Sequence, residues 1–351
     1  MRLEQVKEIA NAVLYEGYLL YPYRHSAIKN RQRWTIGVVY PKEYSEAQGG
    51  TEPWVMQTEC LAKKHGNTDT SITVHVRFLH LLLRTEVSNE TAGTSAPDEA
   101  AQRNAWGLAG YLANEPWEEG IEREMTVRDL SLDDLVAQPR IVAIEYPAGR
   151  MVEQSADAPA TQIVREHQPL AGRIVIAAAK MGEDIYKLSI RIENRTTSID
   201  EAASRYNVIL RHSFISTHAI LQVQQGAFIS LLDPPEELKV AAQGCQNLRT
   251  WPVLVGSEGD YDVMLSSPII LYDYPQLAPE SPGALFDGTE IDEILTLRIM
   301  TLTDEEKQEM RQGDERVREI LERTESLTPE EFMKLHGTIR SLRPVDEGGG
   351  A

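Results

Sequence analysis

The strongest constraint on the fold is the alternation of apolar and polar side chains in SITVHVRFLHLLLR, residues 71–84. The apolar side chains recur at every second position, from Ile72 to Phe78, and polar residues such as His75 and Arg77 lie between them. In a strand, successive side chains point to opposite faces, so this pattern is typical of an antiparallel strand with one buried face.

About ten segments of the sequence carry a strand pattern, and few long helical patterns separate them. They include RWTIGVVYP, PWVMQTECLA, RIVAIEYP, GRIVIAAAK, YKLSIRIENRT and YDVMLSSPIILYDYP. In YKLSIRIENRT, the alternation directs Arg191 and Glu193 away from the apolar face. The segments SFISTHAILQV and AFISLLDPP, joined at Gln225-Gly226, predict a hairpin. A parallel sheet needs a helix between successive strands, so the sequence predicts an α+β protein with a mostly antiparallel, sandwich-like β body.

Helical patterns occur at the two ends of the chain. Apolar residues between Val6 and Leu14 recur at the three-and-four spacing of one helix face. Near the other end, Thr303 and Glu306 have the spacing of a capping box, which marks a helix start. We therefore expect an N-terminal helix and basic stretch over 1–33, a β-rich body over 34–288, C-terminal helices over 289–343 and a disordered tail over 344–351.

Charge and composition exclude several classes of partner and compartment. The net charge is -19, which disfavours binding to nucleic acid or to an anionic membrane. No apolar run approaches the roughly 20 residues of a membrane span, and the first residues mix charges into a helical pattern. Two cysteines, Cys60 and Cys245, cannot form a disulfide framework. We therefore expect a cytoplasmic protein.

The sequence shows no established catalytic motif, whether nucleophile elbow, phosphate loop or dinucleotide-binding glycine pattern. The eight histidines are scattered. His75 and His80 are five residues apart, which places them on opposite faces of a strand. His212 and His218 lie roughly 20 Å apart if the chain is extended between them. We predict no catalytic residue, no metal site and no cofactor.

Two groups of residues leave a metal role open. The segment GALFDGTEIDEIL concentrates Asp287, Glu290, Asp292 and Glu293. Acids this dense could hold a hard cation, and Asp287, Glu290 and Asp292 could serve a metal-dependent hydrolase. Alternatively, with Thr289 as the N-cap of a helix, Asp292 and Glu293 fall in its first turn, where the helix dipole favours negative charge. Cys60 and Cys245 fit buried thiols, or a transient thiolate contact with a metal or an iron-sulfur precursor.

The most unusual segment is a basic and aromatic stretch near the N-terminus, LLYPYRHSAIKNRQRWTIGVVYP, residues 19–41. Such a mixture suits docking onto an acidic partner surface. The predicted partner-binding residues are Tyr21, Tyr23, Arg24, Lys29, Arg31, Arg33 and Trp34. The alternative is intramolecular, with these cations pairing with the acidic C-terminal helices of the same chain.

Several further segments resemble an uncharacterised bacterial protein family. They are VLYEGYLLYPYRHSAIKNRQRWTIGVVYP, PWVMQTECL, LLDPPEEL, GCQNLRTWPVLVG, SSPIILYDYP and APESPGALFDGTEIDEILTLRIMTLTDEEK. Together they extend over most of the chain, from about residue 10 to 340. Members of this family are encoded among the structural and maturation genes of oxygen-tolerant uptake nickel-iron hydrogenases. The family supplies no catalytic residue to carry over.

The resemblance implies an accessory role in assembly, maturation or stabilisation of a nickel-iron hydrogenase, through protein-protein contact. Its partner would be a hydrogenase subunit or a maturation factor. The alternatives from other classes are a metal-dependent hydrolase and a small-ligand-binding module of unknown specificity.

Overall fold

The computed structural model describes residues 2–15, 35–66, 69–88, 117–154, 161–197, 206–276, 292–311 and 315–328. They divide into two compact units, which contain the described residues of 2–276 and of 292–328. The predicted tail, 344–351, lies outside the described residues.

The first unit contains twelve strands and five helices among its described residues. The strands are β1 (Val55–Lys64), β2 (Ser71–Ser88), β3 (Trp117–Ser131), β4 (Arg140–Tyr146), β5 (Gly149–Gln154), β6 (Thr161–His167), β7 (Leu170–Lys180), β8 (Ile185–Asn194), β9 (Ile215–Gln224), β10 (Gly226–Ile229), β11 (Trp251–Leu254) and β12 (Val263–Ser267). The helices are α1 (Arg2–Tyr15), α2 (Lys42–Ala47), α3 (Leu132–Ala137), α4 (Tyr206–Leu210) and α5 (Lys239–Gln243), which directly follows a 3-10 turn at Glu236–Leu238.

The strands form two antiparallel sheets. One has five strands in the order β10-β1-β8-β7-β4. The other has seven, in the order β11-β12-β9-β2-β6-β5, with β3 paired to β2. This confirms the predicted α+β class with mostly antiparallel strands.

Strand β2 organises the seven-stranded sheet because it pairs with three other strands. Residues 71–84 of β2 pair with β3, residues 71–79 with β9 and residues 82–88 with β6. Since β3 already occupies one edge along residues 71–84, β9 and β6 must share the opposite edge.

The main core lies between the two sheets. It combines the inward residues of β2, among them Ile72 and Phe78, with Cys60 of β1 and Ile190 of β8. The alternation of β2 is confirmed, because its predicted apolar positions from Ile72 to Phe78 are fully buried in this core.

The predicted hairpin at Gln225-Gly226 is wrong. Strand β9 pairs with β2 and β12 in the seven-stranded sheet, whereas β10 pairs with β1 in the five-stranded sheet. Gln225, with φ of 58°, is the point at which the chain passes from one sheet to the other. Turn residues between two strand patterns indicate a change of direction, and they do not specify which strand the chain then pairs with.

The segment 35–41 is also less regular than the strand predicted there. Among the described residues it forms one isolated bridge, between Val39 and Phe214, and its Ile36 and Gly37 carbonyls accept single backbone hydrogen bonds. Gly37 has φ of 57°, outside the strand region, which interrupts the extended conformation.

The predicted N-terminal helix, α1, packs on the outer face of the seven-stranded sheet. Its apolar residues, Val6, Ile9 and Ala10, form a second core with residues of β9, β11 and β12. Polar contacts border this core: Arg77 of β2 donates to Asn11 Oδ1 at 2.5 Å, and Lys7 Nζ lies 3.3 Å from a Glu124 carboxylate oxygen.

The described residues of the second unit form α6 (Asp292–Met300), α7 (Asp304–Arg311) and α8 (Glu315–Ser326). The predicted capping box is confirmed at the start of α7. The Thr303 amide donates to Glu306 Oε2 at 2.9 Å, and the Glu306 amide donates to Thr303 Oγ1 at 3.2 Å.

In the part of the chain that the structure describes, no helix combines the length and apolar character needed to cross a membrane.

Candidate functional site

The predicted partner-binding residues lie outside the described residues. This applies to Tyr21, Tyr23, Arg24, Lys29, Arg31, Arg33 and Trp34. Both interpretations of the stretch, docking onto a partner and pairing with the C-terminal helices, therefore remain predictions.

The acidic segment is described only at its end. Asp287 and Glu290 lie outside the described residues. Asp292 and Glu293 are the first two residues of α6, which agrees with a first-turn position, and the structure describes their backbone only. Elsewhere in the described ranges, no group of three or more His, Cys, Asp and Glu side chains could hold a metal ion.

The two cysteines are free thiols with raised pKa values. Cys60 is fully buried in the main core, and burial raises the pKa of its thiol. Cys245 is partly buried, and burial raises the pKa of its thiol to about 11. Both thiols are therefore protonated near neutral pH, and each would have to release a proton before its thiolate could bind a metal.

His75 and His80 lie on opposite faces of β2, as their spacing predicts. His75 contacts Glu124 and Gln222 on the α1 side of β2, at 3.1 Å each. His80 instead donates from Nε2 to the Gln168 carbonyl at 2.9 Å and lies against the Tyr146 ring. Its imidazole also meets that of His167, with ring centroids 4.7 Å apart. His75 and His80 therefore share no ligand position.

A group of three cations lies on the outward face of the five-stranded sheet. Arg173, Arg191 and Arg195 surround the carboxylate of Glu193 and donate to it from their Nε atoms at 2.8, 2.9 and 2.8 Å. We call these four residues the arginine cluster.

Strand geometry explains why these four side chains meet. Arg173 of β7 is the register partner of Glu193 of β8, and cross-strand partners project from the same face. Arg191 precedes Glu193 by two residues, so it also projects from that face. Arg195 follows the end of β8, and its amide donates to the Ala171 carbonyl at 2.8 Å, which holds it beside the sheet.

The electrostatics of the arginine cluster leave it positively charged. Burial alone would raise the pKa of the Glu193 carboxyl, but the hydrogen bonds from Arg173, Arg195 and Arg191 outweigh burial and lower this pKa to about 2. Glu193 therefore stays ionised and neutralises one of three guanidinium charges. Its side chain is 3% exposed, whereas the arginine side chains are 34%, 40% and 46% exposed, so solvent meets the cations and not the carboxylate.

An aromatic side chain extends this cationic surface. The Arg191 guanidinium lies 5.7 Å from the Trp54 ring centroid, and Lys42 Nζ lies 5.0 Å from the same ring. Arginine forks bind carboxylates through paired hydrogen bonds, and tryptophan and arginine are the residues most enriched at interface hot spots. Chemically, the arrangement can bind an acidic surface or a carboxylate ligand.

Sequence reasoning missed the arginine cluster as a candidate site, although a local signal for part of it was present. The alternation in YKLSIRIENRT directs Arg191 and Glu193 outward, and the spacing Arg-x-Glu-x-Arg is a local signal for a shared face. Arg173 and Trp54 come from other strand segments, so their inclusion depends on strand pairing that no local pattern specifies.

Comparison with known proteins adds no family to this geometry: no protein-family model matches the chain, and no curated protein does.

Proposed function

We propose that the protein is a non-enzymatic accessory factor in the assembly, maturation or stabilisation of a nickel-iron hydrogenase, and that it acts by contacting a protein partner. The family resemblance of segments such as GCQNLRTWPVLVG supports the hydrogenase context. The arginine cluster is the observation that supports the mode of action, because it offers solvent-facing cations on a chain of net charge -19.

The arginine cluster suits binding because its side chains are held before a partner arrives. Ordering a long side chain at an interface costs about 0.5–1.5 kcal/mol. Glu193 already orders the three arginines through charged hydrogen bonds. Part of the free-energy cost of ordering them is therefore met during folding and not during binding. The partner surface that fits is acidic, with carboxylates spaced to meet more than one guanidinium.

The compartment and partner class belong to the same proposal. Two free thiols fit the reducing cytoplasm, where disulfides are rare. The net charge favours a protein partner over nucleic acid or an anionic membrane. The basic stretch from Tyr21 to Trp34 would provide a second contact with that partner, and it remains a prediction from the sequence.

A genetic experiment tests the hydrogenase context. Deleting the gene from its host should lower hydrogen uptake and leave the hydrogenase large subunit incompletely processed. Re-expression of the intact chain from a plasmid should restore both. Normal uptake and normal processing in the deletion strain would refute the proposed role.

A pair of matched variants tests the contact surface. The double variant Arg191→Gln and Arg195→Gln removes two exposed cations but keeps the Arg173 bond to Glu193 at 2.8 Å. We expect at least a tenfold loss of affinity for the co-purified partner, because each cation lost weakens a charge-assisted contact. The measurement is titration of purified partner, and the difference from wild type should shrink as salt increases.

The control variant removes the same charge elsewhere. Arg128→Gln and Arg150→Gln remove two exposed cations from β3 and β5 of the other sheet. If the control pair weakens binding as much as the Arg191 and Arg195 pair, net charge alone explains the effect and the arginine cluster is not the contact surface.

A further inference from the structure

A separate cavity lies beside the segment that begins at Thr35. Its volume is about 270 Å³, and three parts of the chain form most of its wall: residues 35–40, residues 52–53 and the stretch from Arg249 to Trp251. Pro268 completes the wall and packs against Gly37, where a Cβ would lie 2.7 Å from the proline Cβ. None of these residues belongs to the arginine cluster.

The backbone at Arg249 is in a conformation that arginine rarely adopts. Its φ is 62°, in the left-handed region, which costs a residue other than glycine roughly 1–2 kcal/mol. The neighbouring residues enforce it: Leu248 exchanges backbone hydrogen bonds with Gln57, and the buried Thr250 bonds to Ser266 and Ser267. Glycine would fit this position without strain, so the arginine side chain needs another explanation.

Among the described residues, Arg249 forms no ion pair that would explain why an arginine occupies this position. The Arg249 guanidinium donates one long hydrogen bond, from Nη2 to the Thr51 carbonyl at 3.5 Å. Across the described part of the chain, neither Arg249 nor Glu52 has an oppositely charged side chain within 4.0 Å. A cation and an anion thus line one cavity without neutralising each other.

Apart from Thr35, the remaining side chains that line the cavity are aromatic or apolar. Trp251 and Tyr40 contribute rings, and Ile36, Val38 and the prolines contribute aliphatic surface. Pockets for drug-sized ligands measure about 300–1,000 Å³, so this cavity suits a smaller molecule. A cation and an anion beside an aromatic surface fit a ligand that carries one negative charge, one positive charge and an apolar part.

We propose that this cavity binds a small zwitterion of the α-amino acid class. Its carboxylate would pair with Arg249, its ammonium group with Glu52, and its side chain would contact Trp251 and Tyr40. This site is independent of the proposed hydrogenase role, and either proposal can fail alone.

The test uses the full chain and the twenty L-amino acids, each added singly at about 10 mM, a concentration that detects millimolar affinity. Acetate and methylammonium chloride serve as probes that carry only one of the two charges. Thermal shift identifies any amino acid that binds, and calorimetry then gives its affinity. We expect at least one amino acid to raise the melting temperature, and neither single-charge probe to do so.

Two variants assign the contacts. Arg249→Gly removes the guanidinium and relieves the left-handed strain, so the unliganded melting temperature should be unchanged or higher while affinity falls about tenfold or more. Glu52→Gln keeps the side-chain shape and should weaken binding similarly. The proposal is overturned if no amino acid binds, if a single-charge probe binds as tightly, or if either variant retains wild-type affinity.

Discussion

Two fully buried histidines show how single residues tie the protein's stability to pH. Burial is the main reason that the pKa of His80 and the pKa of His218 each fall from 6.5 to about 3. Nearby charge adds to the effect, from His167 and Arg123 at His80 and from Arg77 at His218. Both imidazoles are therefore neutral in the folded protein near pH 7, and His218 Nδ1 donates to the Ser216 carbonyl at 2.9 Å.

The sign of the pH dependence follows from these two lowered pKa values. Between pH 6.5 and pH 3, the unfolded chain binds protons at both histidines and the folded chain does not, so the free energy of unfolding decreases as pH falls. At pH 5 we expect a loss of about 2 kcal/mol per histidine relative to pH 7. Urea titrations at both pH values measure it.

A variant separates the histidine effect from other titrating groups. His218→Asn keeps a side-chain N–H that can donate to the Ser216 carbonyl but cannot be protonated, so the loss between pH 7 and pH 5 should be smaller in this variant. Equal losses in the variant and in wild type would contradict the assignment. Glu193 contributes at lower pH, because its lowered pKa costs stability only as pH falls below its ordinary value of 4.5.

At the scale of elements, the capping box gives a test confined to one helix. Thr303→Ala removes the Oγ1 that accepts from the Glu306 amide and should destabilise the start of α7 by about 1 kcal/mol. Amide hydrogen exchange in Asp304–Arg311 should accelerate roughly fivefold, since about 1 kcal/mol corresponds to that factor.

A second hydroxyl in the same unit provides the control. Ser326 Oγ donates to the Arg323 carbonyl at the end of α8 and caps no helix start. Ser326→Ala should leave exchange in Asp304–Arg311 unchanged. If Thr303→Ala also leaves it unchanged, the capping hydrogen bonds seen in the structure do not stabilise α7 in solution.

The sequence predicts some elements better than others. The difference depends on how far apart in the sequence the interacting residues lie. The alternation in β2 and the Thr303–Glu306 spacing depend on residues close in the chain, and both predictions are confirmed. The hairpin at Gln225 was wrong because strand pairing depends on segments far away in the sequence. The arginine cluster needs the same distant pairing, so Arg173 could not be joined to Glu193 by local patterns.

For the molecule as a whole, the packing of the two sheets depends on a glycine. Gly172 of β7 lies where an added Cβ would be 2.8 Å from the Phe214 ring and closer still to the Glu193 carbonyl oxygen. Phe214 in turn stacks on Phe78 of β2, with ring centroids 4.6 Å apart. A side chain at residue 172 would therefore push against the core that joins the sheets.

We expect Gly172→Ala to lower the free energy of unfolding by about 1–3 kcal/mol, the usual cost of overpacking a core. Denaturant unfolding measures it. Gly182→Ala is the matched control, because a Cβ there would lie 3.9 Å from its nearest neighbour, Ile185 Cβ, and should leave stability nearly unchanged. Equal stability of the two variants would show that the sheets can adjust to an added methyl group.

The pairing of β1 has a consequence for synthesis on the ribosome. Its neighbours, β8 and β10, are both encoded far downstream, so β1 emerges long before either can cover its edges. At about 5–20 residues per second, the delay is on the order of ten seconds. Throughout that interval the nascent chain displays an open strand edge, and its yield in the cell depends on how well that edge is shielded from other incomplete chains.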